Sequence, residues 1–253
     1  MMTFTFLGTG SAFSTEHLQS NALLEVNGKR LLIDAGGTVH LALKQSGIKL
    51  STLDAVYVTH LHADHWGGAE YLAYGSCFDP GFVVDGVRLR LRLFSHPDVR
   101  QGLWHNLHAA VLPDRKAQMH DFFDVQDHDS FSFQWQGVSF EMPKATHALD
   151  NGQPMPCYGL KWSASYPNAK AVCFSADTVL RANDDNFGAD VIFHDCETGP
   201  MKTGVHARYE DLLRLPADIR SKMTLYHYND GPRADAVVDG FAGWAQQGAS
   251  IEL

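Results

Sequence analysis

The chain has 253 residues, 45% of them hydrophobic and 19% charged, and its 29 acidic against 20 basic side chains give a formal net charge of −9. That balance supplies a sizeable core and excludes a disordered chain, while the acidic excess argues against a broad basic surface, so nucleic acid is allowed as a partner but not indicated. No stretch approaches the roughly 20 apolar residues that cross a bilayer, and the N-terminus lacks the basic start and long apolar run of a secretory signal; a cytoplasmic protein without membrane attachment is expected.

Thr3 to Leu7 alternates and breaks at Gly8-Thr9-Gly10, a strand running into a tight loop. Asn21 to Val26 and Arg30 to Asp34 flank Asn27-Gly28, a strong hairpin signal. Asp34 precedes Ala35-Gly36-Gly37, and a helix is predicted from Val39 to Gln45. Ala55 to Thr59 is a short β-branched run, a buried strand that delivers the chain to His60, and a helical pattern follows Gly67-Gly68.

The segment from Tyr74 to Ser132 is less regular and rich in His and aromatic residues. Within it Arg88, Arg90 and Arg92 alternate in the run Val87 to Phe94, the solvated outer face of a strand, and a helix is predicted from Asp98 to Val111. Phe131 to Trp135 and Val138 to Met142 flank Gln136-Gly137 as a second hairpin. Strands are predicted at Tyr158 to Ser163, Ala171 to Ser175, Val191 to Phe193 and Met223 to Tyr226, with helices at Arg208 to Leu215 and Asp235 to Gln247. Each half places strands before helices, without repeat or linker, which fits one αββα-type domain over 1–253. Cys77, Cys157, Cys173 and Cys196 form no Cys-x-x-Cys pair and are expected to be reduced thiols, with Cys196, beside Asp195 at a strand end, placed where a metal could lie near.

His60, His62, Asp64 and His65 put three imidazoles and a carboxylate within six positions, directly after the strand and before Gly67-Gly68. These are donors that zinc, iron or manganese prefer. In such a loop His60 and His62 can face one point while Asp64 and His65 reach another a few ångströms away, which suits two ions better than one. So many polar groups gathered in one place would be costly to bury without a cation. His17, His40, His96, His105, His108, His120 and His128 stand alone in the sequence and are read as ordinary core or surface histidines.

The segment Thr59 to Gly67, Thr-His-x-His-x-Asp-His-x-x-Gly, resembles the signature of the metallo-β-lactamase superfamily, and Leu31 to Gly36, ending Asp34-Ala-Gly, resembles the strand that precedes it. Phe6 to Phe13 and the later motifs are most similar to the branch containing ribonuclease Z and the small phosphodiesterases related to it. The resemblance implies an α/β fold, the four-layer αββα metallo-β-lactamase sandwich. It also implies two divalent ions, zinc with manganese or iron as alternatives: His60, His62 and His147 on the first, Asp64, His65 and His227 on the second, and Asp177 bridging them around a shared water. Asp64 counts among the catalytic residues as well as the ligands. Asp34 is then expected behind the ligands, orienting an imidazole. His206, in Thr203 to Tyr209, resembles a Gly-His-Ser segment that acts on the leaving group, with Val205 and Ala207 departing from the pattern, and His194-Asp195 resembles a His-Glu pair with a supporting role.

A hydrolase is therefore expected, acting on a small-molecule ester and in the first place on a phosphodiester. A lactone or thioester hydrolase shares the ligand set, and a metal- or ligand-binding protein without catalysis is the reading from another class. Full ribonuclease Z activity is disfavoured, because His147 and Asp177 stand only 30 positions apart and leave no room for a long tRNA-gripping arm. The insertion at about 74–132 is expected to fold over the site, with a homodimer interface as its other use.

Overall fold

The computed structural model describes residues 2–111, 117–126, 131–163, 169–181 and 185–253. His128, and the parts of the 74–132 insertion at 112–116 and 127–130, lie outside the described residues. The first half of the chain forms β1 (Met2–Gly8), β2 (Asn21–Val26), β3 (Lys29–Ile33), α1 (Val39–Gln45), β4 (Ala55–Val58), α2 (Ala63–Trp66), α3 (Ala69–Phe78), the small hairpin β5 (Val83–Val84) and β6 (Val87–Arg88), β7 (Arg92–Ser95), α4 (Pro97–Val111) and β8 (Asp124–Val125). The second half forms β9 (Ser132–Trp135), β10 (Val138–Glu141), the small hairpin β11 (Leu149–Asp150) and β12 (Gln153–Pro154), β13 (Leu160–Ser163), β14 (Ala171–Phe174), β15 (Val191–Asp195), α5 (Tyr209–Leu212), α6 (Ala217–Arg220), β16 (Met223–Tyr226), β17 (Gly243–Trp244) and β18 (Ser250–Glu252).

Two seven-stranded sheets result, in the orders β18-β1-β2-β3-β4-β7-β8 and β17-β16-β15-β14-β13-β10-β9. The chain's last strand thus closes the edge of the first sheet by pairing Phe4 with Ile251. Both predicted hairpins form, and Asn27-Gly28 and Gln136-Gly137 take positive φ at both turn positions, as a two-residue turn matched to strand twist requires. The facing surfaces of the sheets meet through aromatic rings: Phe4 of β1 stacks on Phe193 of β15 at 4.1 Å, and Tyr57 of β4 on Phe133 of β9 at 5.9 Å. The outer faces are covered too. Val39, Ala42, Leu43, Leu72 and Leu103 bring α1, α3 and α4 into the main core, and Leu212 of α5 joins Ile192, Met223 and Leu225 in a second cluster. Helix, sheet, sheet and helix layers are those of the expected sandwich.

Because β3, β4 and β7 run parallel on one side and β14, β15 and β16 on the other, their C-terminal ends share one rim, and loops leaving that rim converge. Strands buried on both faces need continuous apolar runs, which Ala55–Val58 and Ala171–Phe174 supply.

Three elements differ from expectation. The predicted helix from Asp235 to Gln247 is absent: turns fill 236–240 and β17 extends the second sheet. Gly240 and Gly243, inside that span, hold positive φ, which a helix interior cannot use. The helix expected from Arg208 to Leu215 is confined to Tyr209–Leu212, followed by a tight turn into Pro216. The run Val87 to Phe94 is not one strand; it breaks after Arg88, so that Leu91 and Leu93 are buried while Leu89 stays about half exposed.

Candidate metal centre

The site grows from Asp34. Directly after β3 its backbone turns to φ 62°, an unusual conformation for a non-glycine residue. The buried carboxylate there accepts from the Thr59 amide at 2.9 Å, from the Thr59 hydroxyl at 2.8 Å and from His65 Nδ1 at 2.8 Å. The Thr59 hydroxyl, having given its proton to Asp34, accepts from His60 Nδ1 at 2.9 Å. Asp34 therefore orients two imidazoles, one directly and one through Thr59, and leaves the Nε2 atom of each facing the cluster. Asp34 thus lies behind the ligands, as expected, while Thr59, which no motif marks beyond its place directly before His60, links that histidine to Asp34.

His62 ends the loop after β4, and Asp64 and His65 lie on the short helix α2 rather than in a loop. This turn sits close on the 34–37 segment, with Ala35 N donating to the His65 carbonyl at 2.7 Å and Gly68 N to the Ala35 carbonyl at 2.8 Å. A side chain at Gly36 would overlap the Asp64 carbonyl oxygen. His147 arrives from the loop after β10, its Nδ1 donating to the Val205 carbonyl at 2.8 Å. Asp177 follows β14, and His227 follows β16 with φ 63°.

These residues gather into two groups that share Asp177: His60, His62 and His147, and Asp64, His65 and His227, with the ligand atoms in each group within 4.8 Å of one another. The seven residues expected from the sequence are thereby brought together. His62 Nδ1 lies 3.1 Å from His60 Nε2 and 2.9 Å from His147 Nε2. Asp177, only 1% exposed, has neither carboxylate oxygen hydrogen-bonded, and His65 Nε2 likewise has no hydrogen-bond partner. Buried, unsatisfied donor atoms aimed at common points are what a bound cation would satisfy, so the donor set fits divalent ions.

The charges agree. Burial, with the neighbouring histidines, keeps His60 well below the usual imidazole range, and burial likewise lowers His62 and His147; all three are neutral and able to ligate. For His65 and His227 burial pushes the same way, but Asp177 and Asp64 outweigh it and raise both. For Asp64 and Asp177 burial opposes ionisation and the adjoining histidines overcome it, holding both carboxyls below the usual carboxylate range. Without cations, protons on His65 and His227 offset the carboxylates.

Beside this cluster His206 Nδ1 donates to Asp195 Oδ2 at 2.8 Å, and Thr178 N donates to the same oxygen at 2.9 Å. The other Asp195 oxygen stands 3.5 Å from His227 Nδ1. The His206 ring packs 5.0 Å from His147 and 4.7 Å from His227. Burial alone would lower it, yet Asp195 and then Asp177 raise it to about 10. Asp195 thus reaches the site from the end of β15, whereas Cys196 turns into the apolar cluster beneath α5 and belongs to none of the candidate ligand groups among the described residues. The thiol near the site is Cys157, whose Sγ lies 3.4 Å from the Asp177 carbonyl; nothing in its sequence context marked it.

A two-sheet sandwich with histidines and aspartates collected on the rim between the sheets defines a protein of the metallo-β-lactamase fold. Over its whole length it is similar to the metallo-β-lactamase fold protein YhfI from Bacillus subtilis, with a TM-score of 0.73 and 18% identity covering 100% of both chains. It is also similar to the short form of human tRNase Z, with a TM-score of 0.68 and 17% identity over 99% of this chain and 98% of that one. Residues 2–251 match the family described as anti-Pycsar protein Apyc1, and the chain belongs to that family. One relative, the anti-Pycsar protein Apyc1 of Paenibacillus harenae, is 32% identical over 232 residues, covering 90% of each chain.

Proposed function

We propose that the protein is a metal-dependent phosphodiesterase for a small substrate, a cyclic nucleotide in the first instance. The observation that carries this reading is the pairing of two ligand groups on one shared carboxylate, Asp177, with a proton donor, His206, held beside them. His60, His62 and His147 would hold one ion, Asp64, His65 and His227 the other, and Asp177 both, the imidazole and carboxylate donors favouring zinc. When bound, such ions activate a water and neutralise charge on the phosphoryl oxygens.

The chain's own residues do the rest. Asp34, Thr59 and the Val205 carbonyl fix the ring orientations of His65, His60 and His147. Asp195 accepts a hydrogen bond from Nδ1–H of His206, which fixes that ring and keeps it protonated, so Nε2–H is the proton available to a leaving alkoxide. Asp64 is expected to serve turnover as well as binding, since it holds His227 Nε2 at 3.1 Å. The same reading gives the 74–132 segment the task of bounding substrate access: α4 packs Gly102 against Leu61, between two of the histidines, and its Leu103 carbonyl accepts from Trp66 Nε1 at 3.4 Å. A cyclic nucleotide closes its diester on one sugar and needs no long groove.

The test is hydrolysis of bis(p-nitrophenyl) phosphate, a panel of cyclic mononucleotides, a generic lactone and a thioester, each with EDTA or with added Zn²⁺ or Mn²⁺. Metal-dependent turnover of the phosphodiesters is expected. Turnover of the lactone or thioester alone would overturn the assignment, and tight metal binding with no turnover of any of them would make this a binding protein.

A further inference from the structure

A cavity of about 650 Å³ lies at the opposite end of the first sheet from the metal centre. Lys29, Arg92 and Asp124 are the first residues of β3, β7 and β8, and Asp54 immediately precedes β4; all four line it. Asp34 and His60 follow the other ends of β3 and β4, so at ~3.3 Å per residue roughly 15 Å of sheet separates the two sites.

We propose that this cavity is a second ligand site, for a nucleotide-sized organic phosphate. Lys29, Arg88, Arg90 and Arg92 line it, a concentration of cations that stands out in a chain whose formal charge is −9. Asp54 and Asp124 offset Lys29 and Arg92, at 2.8 and 3.6 Å. The other two cations are held differently. Arg88 Nη1 donates to the Ser76 and Asp79 carbonyls at 3.0 and 3.2 Å, and Arg90 Nε donates to the Asp121 carbonyl at 2.8 Å. The side chains of Asp79 and Asp121 turn instead to backbone amides, those of Gly81 and Gln118. Main-chain carbonyls therefore position both guanidinium groups without neutralising them, which preorganises the fork geometry that phosphate oxygens accept.

Most of the remaining lining is apolar, with Ser51, His120 and Gln136 as its other polar members. Leu53, Phe82 and Phe123 are buried there, and Val84 and Leu89 stand about half exposed. Two side chains left in water and turned to a cationic hollow suit a ligand with an apolar body as well as an anionic end. The volume is within the ~300–1,000 Å³ of small-molecule sites and far exceeds what one inorganic anion fills.

The experiment is calorimetric titration of ADP into the Asp177→Asn protein freed of metal with EDTA, so that no ion at the hydrolytic site can recruit the phosphates. One molecule per chain is expected, with affinity falling as salt rises. Arg90→Gln should weaken it about tenfold or more, the loss expected for a charge-assisted hydrogen bond. Leu89→Asp keeps every arginine and alters a half-exposed side chain, so it does not disturb the core; placing a carboxylate in the hollow should weaken ADP by about tenfold as well. Inorganic pyrophosphate should bind about tenfold more weakly than ADP, lacking the apolar body. Absence of saturable binding up to about 5 mM, a few times the millimolar dissociation constant that corresponds to roughly −4 kcal/mol, would overturn the proposal. So would unchanged affinity in Arg90→Gln and Leu89→Asp, or pyrophosphate binding as tightly as ADP.

Discussion

Asp177 and His206 are asked to do different things, and single substitutions separate them. Asp177 is the one residue common to both ligand groups. Its change to Ala should lower metal content per chain, measured by inductively coupled plasma mass spectrometry, and abolish turnover; full metal content would remove it from the ligand set. His206 faces the cluster from Asp195, so His206→Ala should leave metal content unchanged and reduce kcat by about 10²- to 10⁴-fold, the range for a general acid. The deficit should shrink for a p-nitrophenyl ester, whose leaving group needs little protonation, and be largest for an alkoxide leaving group. Equal slowing of both esters would make His206 structural. Asp195→Asn provides a third reading, since the Nδ1 proton of His206 would lose its carboxylate while the ring remains, and a smaller loss than in His206→Ala is expected.

At the scale of elements, the ligand residues depend on two loops packed backbone to backbone. Because a methyl at Gly36 would overlap the Asp64 carbonyl, Gly36→Ala should destabilise the protein by about 1 to 3 kcal/mol and reduce metal content, whereas at Gly37 the nearest atom, Gln19 Oε1, would be 3.5 Å away and Gly37→Ala should pass unnoticed in both measurements. Equal melting temperatures for the two variants would show that the loop gives way. Legibility of the sequence follows the same physics. His60, His62, Asp64 and His65 stand together and both hairpins carry Asn-Gly or Gln-Gly turns, so local chemistry announced them. His147, Asp177 and His227 are single residues scattered through the second half, and only their likeness to a family pattern marked them. Thr59 and the Val205 carbonyl each hold an imidazole through a single hydrogen bond, which residue type alone does not announce. The helix expected from Asp235 to Gln247 does not form because Gly240 and Gly243 within it take positive φ, a conformation the sequence does not display. Val237 and Val238, inside that span, are exposed turn residues.

For the whole molecule, the proposed ions and the protons on His65 and His227 compete for the same buried carboxylates. Both histidines have raised pKa values in the metal-free fold. Their stabilising contribution is therefore fully present below the unfolded imidazole pKa of about 6.5 and is lost as pH rises through the folded values. Asp64 and Asp177 have lowered values, so their contribution is present above about 3.8 and is lost only as pH falls through the folded values, well into acid. Above about pH 7, where His60, His62 and His147, with their lowered values, are neutral folded or unfolded, the metal-free protein should thus become less stable as pH rises, while metal binding, which requires neutral imidazoles, becomes more favourable. At 100 times its dissociation constant each of two ions contributes about 2.7 kcal/mol, so removing both with EDTA should lower the melting temperature by about 10 to 20 °C. That gap should widen with pH, and titration with Zn²⁺ in buffers of different ionisation enthalpy should register proton release. A gap that narrows from about pH 7 to 9, above the unfolded imidazole value, would mean that His65 and His227 carry no proton for the ions to displace.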